Sequence, residues 1–260
     1  ARANINGGKV KHGTETGSVE FKTVSFSYPD SPEDELSNVS FKVNRGETLA
    51  IIGATGSGKS TLVNLIPRLY DATSGEVLVD GVNVKDYDLS ALYDKIGYAA
   101  EKAVVFSGTI KDNVFLGESA AARDEQTLND ALTVSQASEF VDKYDEKAEH
   151  KVAQLGRNVS GGQKQRLSIA RALARKPEIL IFDDTFSALD FRTDALVRKG
   201  LAEKYSSATK IIVAQRIGTI KNADKILVLD KGEVIGEGTH DELMNSCEVY
   251  REIANSQLGA

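Results

Sequence analysis

The chain has 260 residues, of which 41% are hydrophobic, enough for one large domain or a core with a subdomain. Its 38 acidic residues outweigh 32 basic ones for a formal charge of −6, which lacks the basic footprint of a nucleic-acid binder. The single cysteine, Cys247, excludes a disulfide framework within the chain, and no apolar run approaches the ~18 residues that span a bilayer. The composition predicts a soluble, cytosolic α/β domain.

In chain order, residues 1–17 are polar and Gly-rich without periodicity and read as a linker. Strand-like alternation follows at 18–27 and 36–43, separated by the acidic, Pro-containing loop "YPDSPEDEL". "ETLAIIG" at 47–53 reads as a buried strand that enters a Gly-rich turn and then an amphipathic helix. "SGEVLVDGVNV" reads as a hairpin turning at Asp80-Gly81. From about 102 to 177 the pattern is mostly helical, clearest in "DEQTLNDALTVSQASEFVDKY" and "GQKQRLSIARALARKP". Strands resume at 179–182, 210–214 and 225–229, a hairpin follows at "GEVIGEGTH", and a helix closes the chain. Strands alternating with helices predict a mostly parallel sheet with helices on both faces, and the helical insertion predicts a second lobe.

"GATGSGKS", Gly53–Ser60, matches the phosphate-loop pattern G-x-x-x-x-G-K-[ST] in its required strand-to-helix context. Glycines let backbone N–H groups converge on phosphate oxygens, and the helix N-terminus adds a favourable dipole. Lys59 is placed to reach the β- and γ-phosphates of a nucleotide and Ser60 to ligate Mg²⁺. The strand "ILIF" then delivers the adjacent acids Asp183 and Asp184, the first a candidate Mg²⁺ ligand. A second cradle opens at Ser160-Gly161-Gly162-Gln163, where a serine hydroxyl and free N–H groups begin a helical segment. It reads either as a Gly-rich helix cap or as an anion site. Two cradles in one chain are explained economically if each chain completes the nucleotide site of a partner, head to tail.

These residues resemble the nucleotide-binding domains of ABC transporters. "GATGSGKS" is similar to the family's Walker A motif, "ILIFDD" to Walker B, "SGGQ" to its signature and "SALD", Ser187–Asp190, to its D-loop. The likeness runs from about residue 18 to 258. It implies a P-loop NTPase fold: a RecA-like core with a mostly parallel sheet, an antiparallel β lobe and an inserted helical lobe. It also implies ATP and Mg²⁺ as cofactors. Tyr28 would stack on adenine. Gly53, Thr55, Gly56, Ser57, Gly58, Lys59, Ser60 and Thr61 would hold the phosphates, and Ser60, Glu101 and Asp183 the metal. Ser160, Gly161, Gly162, Gln163 and Asp190 would contact nucleotide across a dimer, although Asp190 also suits a helix N-cap.

Departures from the family pattern fall where hydrolysis is organised. Asp184 stands where the resemblance implies the glutamate that polarises the attacking water. A base must lie within ~2.6–3.2 Å of its proton, and misplacement by about 1 Å costs on the order of 100-fold in rate. Gln215 stands at the position of the switch histidine and cannot pass a proton as imidazole does. Glu101 occupies the Q-loop position, preceded by Ala99-Ala100 rather than Val-Pro. With its signature intact, the chain resembles the degenerate half of a bacterial heterodimeric multidrug exporter.

The expected function is therefore Mg-ATP binding and energy coupling, with slow hydrolysis at Asp184, Gln215 and Glu101. The alternative is a competent homodimeric ATPase. Expected partners are a second nucleotide-binding domain and a membrane domain joined through residues 1–17, at the cytoplasmic face of the cell membrane. Lys164, Arg166 and Arg171 read as a solvated basic face. Cys247 reads as an inert helix residue. His12, His150 and His240 lack metal-like spacing.

Overall fold

The computed structural model describes residues 7–29, 31 and 33–257. Residues 1–6 of the linker stretch, Asp30 and Pro32 of the acidic loop, and the last three residues lie outside it. The core is a six-stranded sheet in the order Glu233–Gly238, Lys225–Asp230, Thr48–Gly53, Thr209–Val213, Ile179–Asp183, Ile96–Ala99. Every pairing is parallel except that of Glu233–Gly238 with Lys225–Asp230.

Side chains alternate across a strand, so each central strand feeds two cores. Ala50, Ile52, Leu180, Phe182, Ile212 and Val228 face the helices that surround Gly161–Ala174. Leu49, Ile51, Ile179, Ile181, Ile211 and Leu227 face the other way. That second face is covered chiefly by a four-stranded antiparallel lobe and the helix Lys59–Leu65: the strand–helix alternation predicts helices on this face, and the antiparallel lobe is the one the family resemblance implies. The lobe orders its strands Leu36–Val43, Val19–Phe26, Ser74–Val79, Val82–Asn83. Asp80 (φ 52°) and Gly81 (φ 75°) make its predicted turn, both left-handed as a two-residue hairpin requires.

The stretch that reads as a linker is fastened to this lobe from Gly8 onward. Gly8 and Val10 N–H donate to Tyr87 and Asp86 carbonyls at 2.7 and 2.9 Å, and Thr14 and Glu15 N–H to the Asp80 carbonyl at 2.8 and 3.0 Å. The fully buried Asp80 carboxylate accepts Ser18 N–H at 3.1 Å and Lys95 Nζ at 2.7 Å. Lys95 also reaches Glu178 at 3.2 Å. Backbone donors with no ladder of their own find acceptors on a neighbouring strand end, which periodicity cannot reveal.

Local differences have local causes. The helix expected across 124–144 breaks into Glu125–Val134 and Ser138–Val141 at Gln136, whose φ is 61°. The C-terminal helix divides into His240–Ser246 and Glu248–Gln257, with buried Cys247 extended at the break rather than inside a helix. Lys164, Arg166 and Arg171 do not form a solvated face. Each donates to a backbone carbonyl, of Leu155, Gln136 and Asn113 respectively, at 2.7–3.1 Å. Their long stems reach carbonyls at a turn and at the ends of short helices, which lack an intrahelical partner. The edge strand Ile96–Ala99 and the ribbon of Gly108–Thr109 with Lys151–Val152 were too short to be read. Among the described residues no helix is long and apolar enough to cross a membrane.

Candidate nucleotide site

The strand Thr48–Gly53 lies between parallel neighbours, and its C-terminal end opens into the glycine loop before the helix Lys59–Leu65. Gly56 and Gly58 have φ of 78° and 98°. A Cβ on Gly58 would come within 2.8 Å of Leu36 Cδ2, whereas one on Gly56 would meet nothing within 4 Å. The loop is thus closed against the antiparallel lobe on one side and open where a ligand could approach. Lys59 Nζ donates to the carbonyls of Gly53 and Ala54 at 2.9 and 2.8 Å. Burial holds this ammonium below its usual pKa. That cost of confining a cation is offset when an anion joins it.

Asp183, only 6% exposed, ends its strand against the first turn of the same helix. Its Oδ1 accepts the Ser60 hydroxyl at 2.9 Å. The Tyr98 hydroxyl lies 3.2 Å from Asp183 Oδ2 and 2.9 Å from Asn64 Oδ1, and donates to one of them at a time. Burial raises the Asp183 carboxyl, with the Glu101 charge adding to it. Burial beside Asp183 likewise raises the Tyr98 phenol, which stays protonated.

Asp184 sits one residue on, in the left-handed region at φ 47°, a conformation Asp tolerates better than most residues. Its Oδ2 accepts the Gln215 side-chain amide at 2.9 Å, while Oδ1 is buried without a hydrogen-bond partner. Burial raises this carboxyl too, and the neighbouring charges of Glu101 and Asp183 push the same way. Glu101 itself is exposed. The loop that carries it is pinned from both sides: Thr185 Oγ1 donates to Ala99 O at 2.9 Å and Gln165 Nε2 to Ala100 O at 3.0 Å. Arg216 donates to the carbonyls of Leu189 and Ser187 at 2.8 and 2.9 Å, which ties the residue after Gln215 to the turn after Asp184.

The structure thus brings Lys59, Ser60, Asp183, Asp184, Gln215 and Glu101 to one end of the parallel sheet. Tyr28 joins them through its hydroxyl, 3.0 Å from Thr61 Oγ1. Its ring meets Phe26 and Tyr70 edge to face. Among the described residues, no hydrogen bond links the second cradle to the first. There the Ser160 hydroxyl accepts Gln163 N–H at 3.2 Å and Gln163 Oε1 accepts Ser160 N–H at 2.8 Å, a capping box. Gly161 is open, with nothing within 4 Å of a would-be Cβ. Asp190 caps the helix Phe191–Lys204 by accepting Thr193 N–H at 2.9 Å, and that bond lowers its pKa. His150 lies at 3.3 Å from Glu146 and His240 at 2.8 Å from the Tyr250 hydroxyl, so both serve packing. Sequence reasoning missed Tyr98, Asn64, Thr185 and Gln165. Tyr98 had one legible signal, an aromatic in the apolar run that enters the Glu101 loop.

The site residues fit a magnesium nucleotide. Ser60 and Asp183 supply hard oxygen donors side by side. Among the described residues no cluster of three or more His, Cys, Asp or Glu could form a metal cage, and Mg²⁺ needs few protein ligands when phosphates and water complete its shell.

A glycine loop at the end of a central parallel strand, with a buried acid against the following helix, defines a P-loop nucleotide-binding domain. The sequence profile of the ABC transporter family matches residues 36–187, and the chain belongs to that family as its nucleotide-binding domain. It is 45% identical over 94% of its length to the Bacillus subtilis ABC transporter ATP-binding protein YfiB, covering 42% of that protein. It is 40% identical over 94% of its length to Multidrug resistance protein 1 of Entamoeba histolytica, covering 19% of it. A bacterial Atm1-family ABC exporter with ATP bound superposes on the whole chain with TM-score 0.89 and 32% identity, the chain covering 45% of that structure. The chain therefore spans less than half the length of these relatives.

Proposed function

We propose that the chain is the energy-coupling domain of an ABC exporter half-transporter. It binds Mg-ATP at a site of weak hydrolytic power and pairs head to tail with a second nucleotide-binding domain that carries the consensus glutamate. The observation that carries this reading is the engagement of Asp184 by Gln215 at 2.9 Å. A shortened carboxylate with one oxygen held by a neutral amide is poorly placed to draw a proton from water, and the amide cannot accept one.

Binding draws on groups that this weakness leaves intact. Lys59 exchanges loop carbonyls for the β- and γ-phosphates, and the N–H groups of Gly53 to Thr61, with Thr55, Gly56, Ser57 and Gly58 between, enclose them. Ser60 and Asp183, with Glu101 beside them, hold Mg²⁺, which neutralises phosphate charge when bound. Tyr28 offers its ring to adenine. Ser160, Gly161, Gly162, Gln163 and Asp190 meet the nucleotide of the partner. A cleft of about 840 Å³ lined by Leu69, Tyr93, Leu116 and Arg175 also includes Tyr98. It would seat part of a membrane domain at the cytoplasmic face and connect it to Asp183 through the Tyr98 hydroxyl.

One observation favours the second reading, a competent homodimer: Asp184 Oδ1 makes no hydrogen bond, so a small shift that uncovers this buried oxygen would let it meet a water. ATP turnover across a series of protein concentrations, for the chain and for Asp184→Glu combined with Gln215→His, separates the two. A gain of at least tenfold in the double variant is expected. Fast turnover of the unmodified chain alone would overturn the proposal.

A further inference from the structure

The helix Glu248–Gln257 ends on the loop that carries Gln215. The Gln257 side chain makes two bonds to that loop's backbone. Its Oε1 accepts Ile217 N–H at 2.8 Å and its Nε2 donates to Gln215 O at 2.6 Å. A primary amide that grips a donor and an acceptor two residues apart fixes the peptide planes between them, as a ladder pair does in a sheet. Ile217 is fully buried, so this grip sets the direction in which Gln215 leaves the core. Gln215 then meets Asp184 Oδ2 at 2.9 Å. On the opposite side Arg216 holds the carbonyls of Ser187 and Leu189.

We infer that Gln257 is a positioning residue: it holds the Gln215 loop in register with Asp184, so that the C-terminal helix sets the geometry at the attacking-water side of the nucleotide site. The inference rests on the reading of Asp184 and Gln215 as the residues that face that water. Gln257 grips main chain, so its effect is independent of which side chain stands at 215. It therefore acts equally in the Asp184→Glu, Gln215→His background, where turnover is easiest to measure.

Gln257→Ala in that background is expected to lower kcat about tenfold while the KM for Mg-ATP moves less than twofold. It is also expected to speed hydrogen exchange of the Ile217 amide at least tenfold in both backgrounds. Gln257→Glu supplies a diagnostic pH profile. Its carboxylate keeps the Ile217 bond but faces the Gln215 carbonyl with no proton, whereas the acid form restores both bonds. Its kcat relative to Gln257 should therefore recover as pH falls towards the carboxyl range, which for a free Glu lies near about 4.3. Unchanged Ile217 exchange in Gln257→Ala overturns the inference. So does a kcat within twofold of its parent where the double variant has gained turnover, and in that case the proposed function stands. If the double variant gains no turnover while Gln257→Ala still frees the Ile217 amide, the proposed function falls and the grip on the loop is upheld by exchange alone.

Discussion

Gln215 donates its side-chain amide to Asp184 Oδ2 across 2.9 Å, so the residue that follows one parallel strand is tied to the acid that follows its neighbour. The bond satisfies one oxygen of a carboxylate whose other oxygen is buried without a partner. Three carboxylates, Asp183, Asp184 and Glu101, act on one another here, and the consequences can be measured.

Asp184→Asn should stabilise the chain at neutral pH. Burial and the two neighbouring charges hold the Asp184 carboxyl above its usual pKa. A raised carboxyl costs stability as pH rises through its folded-state value, and the cost vanishes below the unfolded value near about 3.9. Melting temperatures of the two forms should coincide at the acid end and separate by roughly 1–2 °C by pH 7.5, a small figure because water reaches this half-buried site. A less stable asparagine variant at pH 7.5 would contradict the burial argument.

Tyr98→Phe removes the hydroxyl shared by Asn64 and Asp183 while keeping the ring. The loss of one half-buried hydrogen bond should cost about 1 kcal/mol and lower the melting temperature by roughly 2–4 °C. Mg-ATP affinity, followed by fluorescent-nucleotide titration, should fall about fivefold because a buried carboxylate loses a donor.

Lys59→Met should leave the melting temperature of the chain without nucleotide nearly unchanged, since among the described residues Lys59 hydrogen-bonds only within its own loop. Nucleotide affinity measured by calorimetry should fall by about 10–100-fold, the worth of charge-assisted bonds of roughly 1.5–3 kcal/mol. Affinity within twofold of the parent would remove Lys59 from the phosphate site.

Asp80→Ala should weaken the whole domain rather than the site. It strands Ser18 N–H and removes one of two carboxylates from Lys95. Breaking one side of a buried ion pair costs about 3–5 kcal/mol. Because Glu178 remains, urea unfolding should show a loss near the lower end of that range.

Much of the site was legible because its residues are consecutive. A glycine pattern, a lysine and a hydroxyl within Gly53–Ser60 define a phosphate loop by backbone geometry alone, and the apolar run before Asp183 marks a buried strand. The helix Gly161–Ala174 was equally clear from its periodicity. Asp190 illustrates the limit. The chain offers it two roles, cap and dimer contact; the bond to Thr193 shows the cap, which leaves the contact across a dimer as part of the proposed function. The basic residues of the signature helix were misread because a solvated face and a set of carbonyl anchors have the same spacing.

The sequence by itself determined the class of fold, the phosphate loop, the pair of acids and the family, since each is a local pattern of residue type and spacing. Tertiary structure decided what those acids touch. Tyr98 meets Asp183 from 85 residues away, Gln215 meets Asp184 from 31, and Gln257 meets the Gln215 loop from 42. Sheet order brings such partners together by pairing strands that are distant along the chain. No periodicity encodes that pairing, and on it depend the charge, the hydrogen bonding and the reach of each carboxylate.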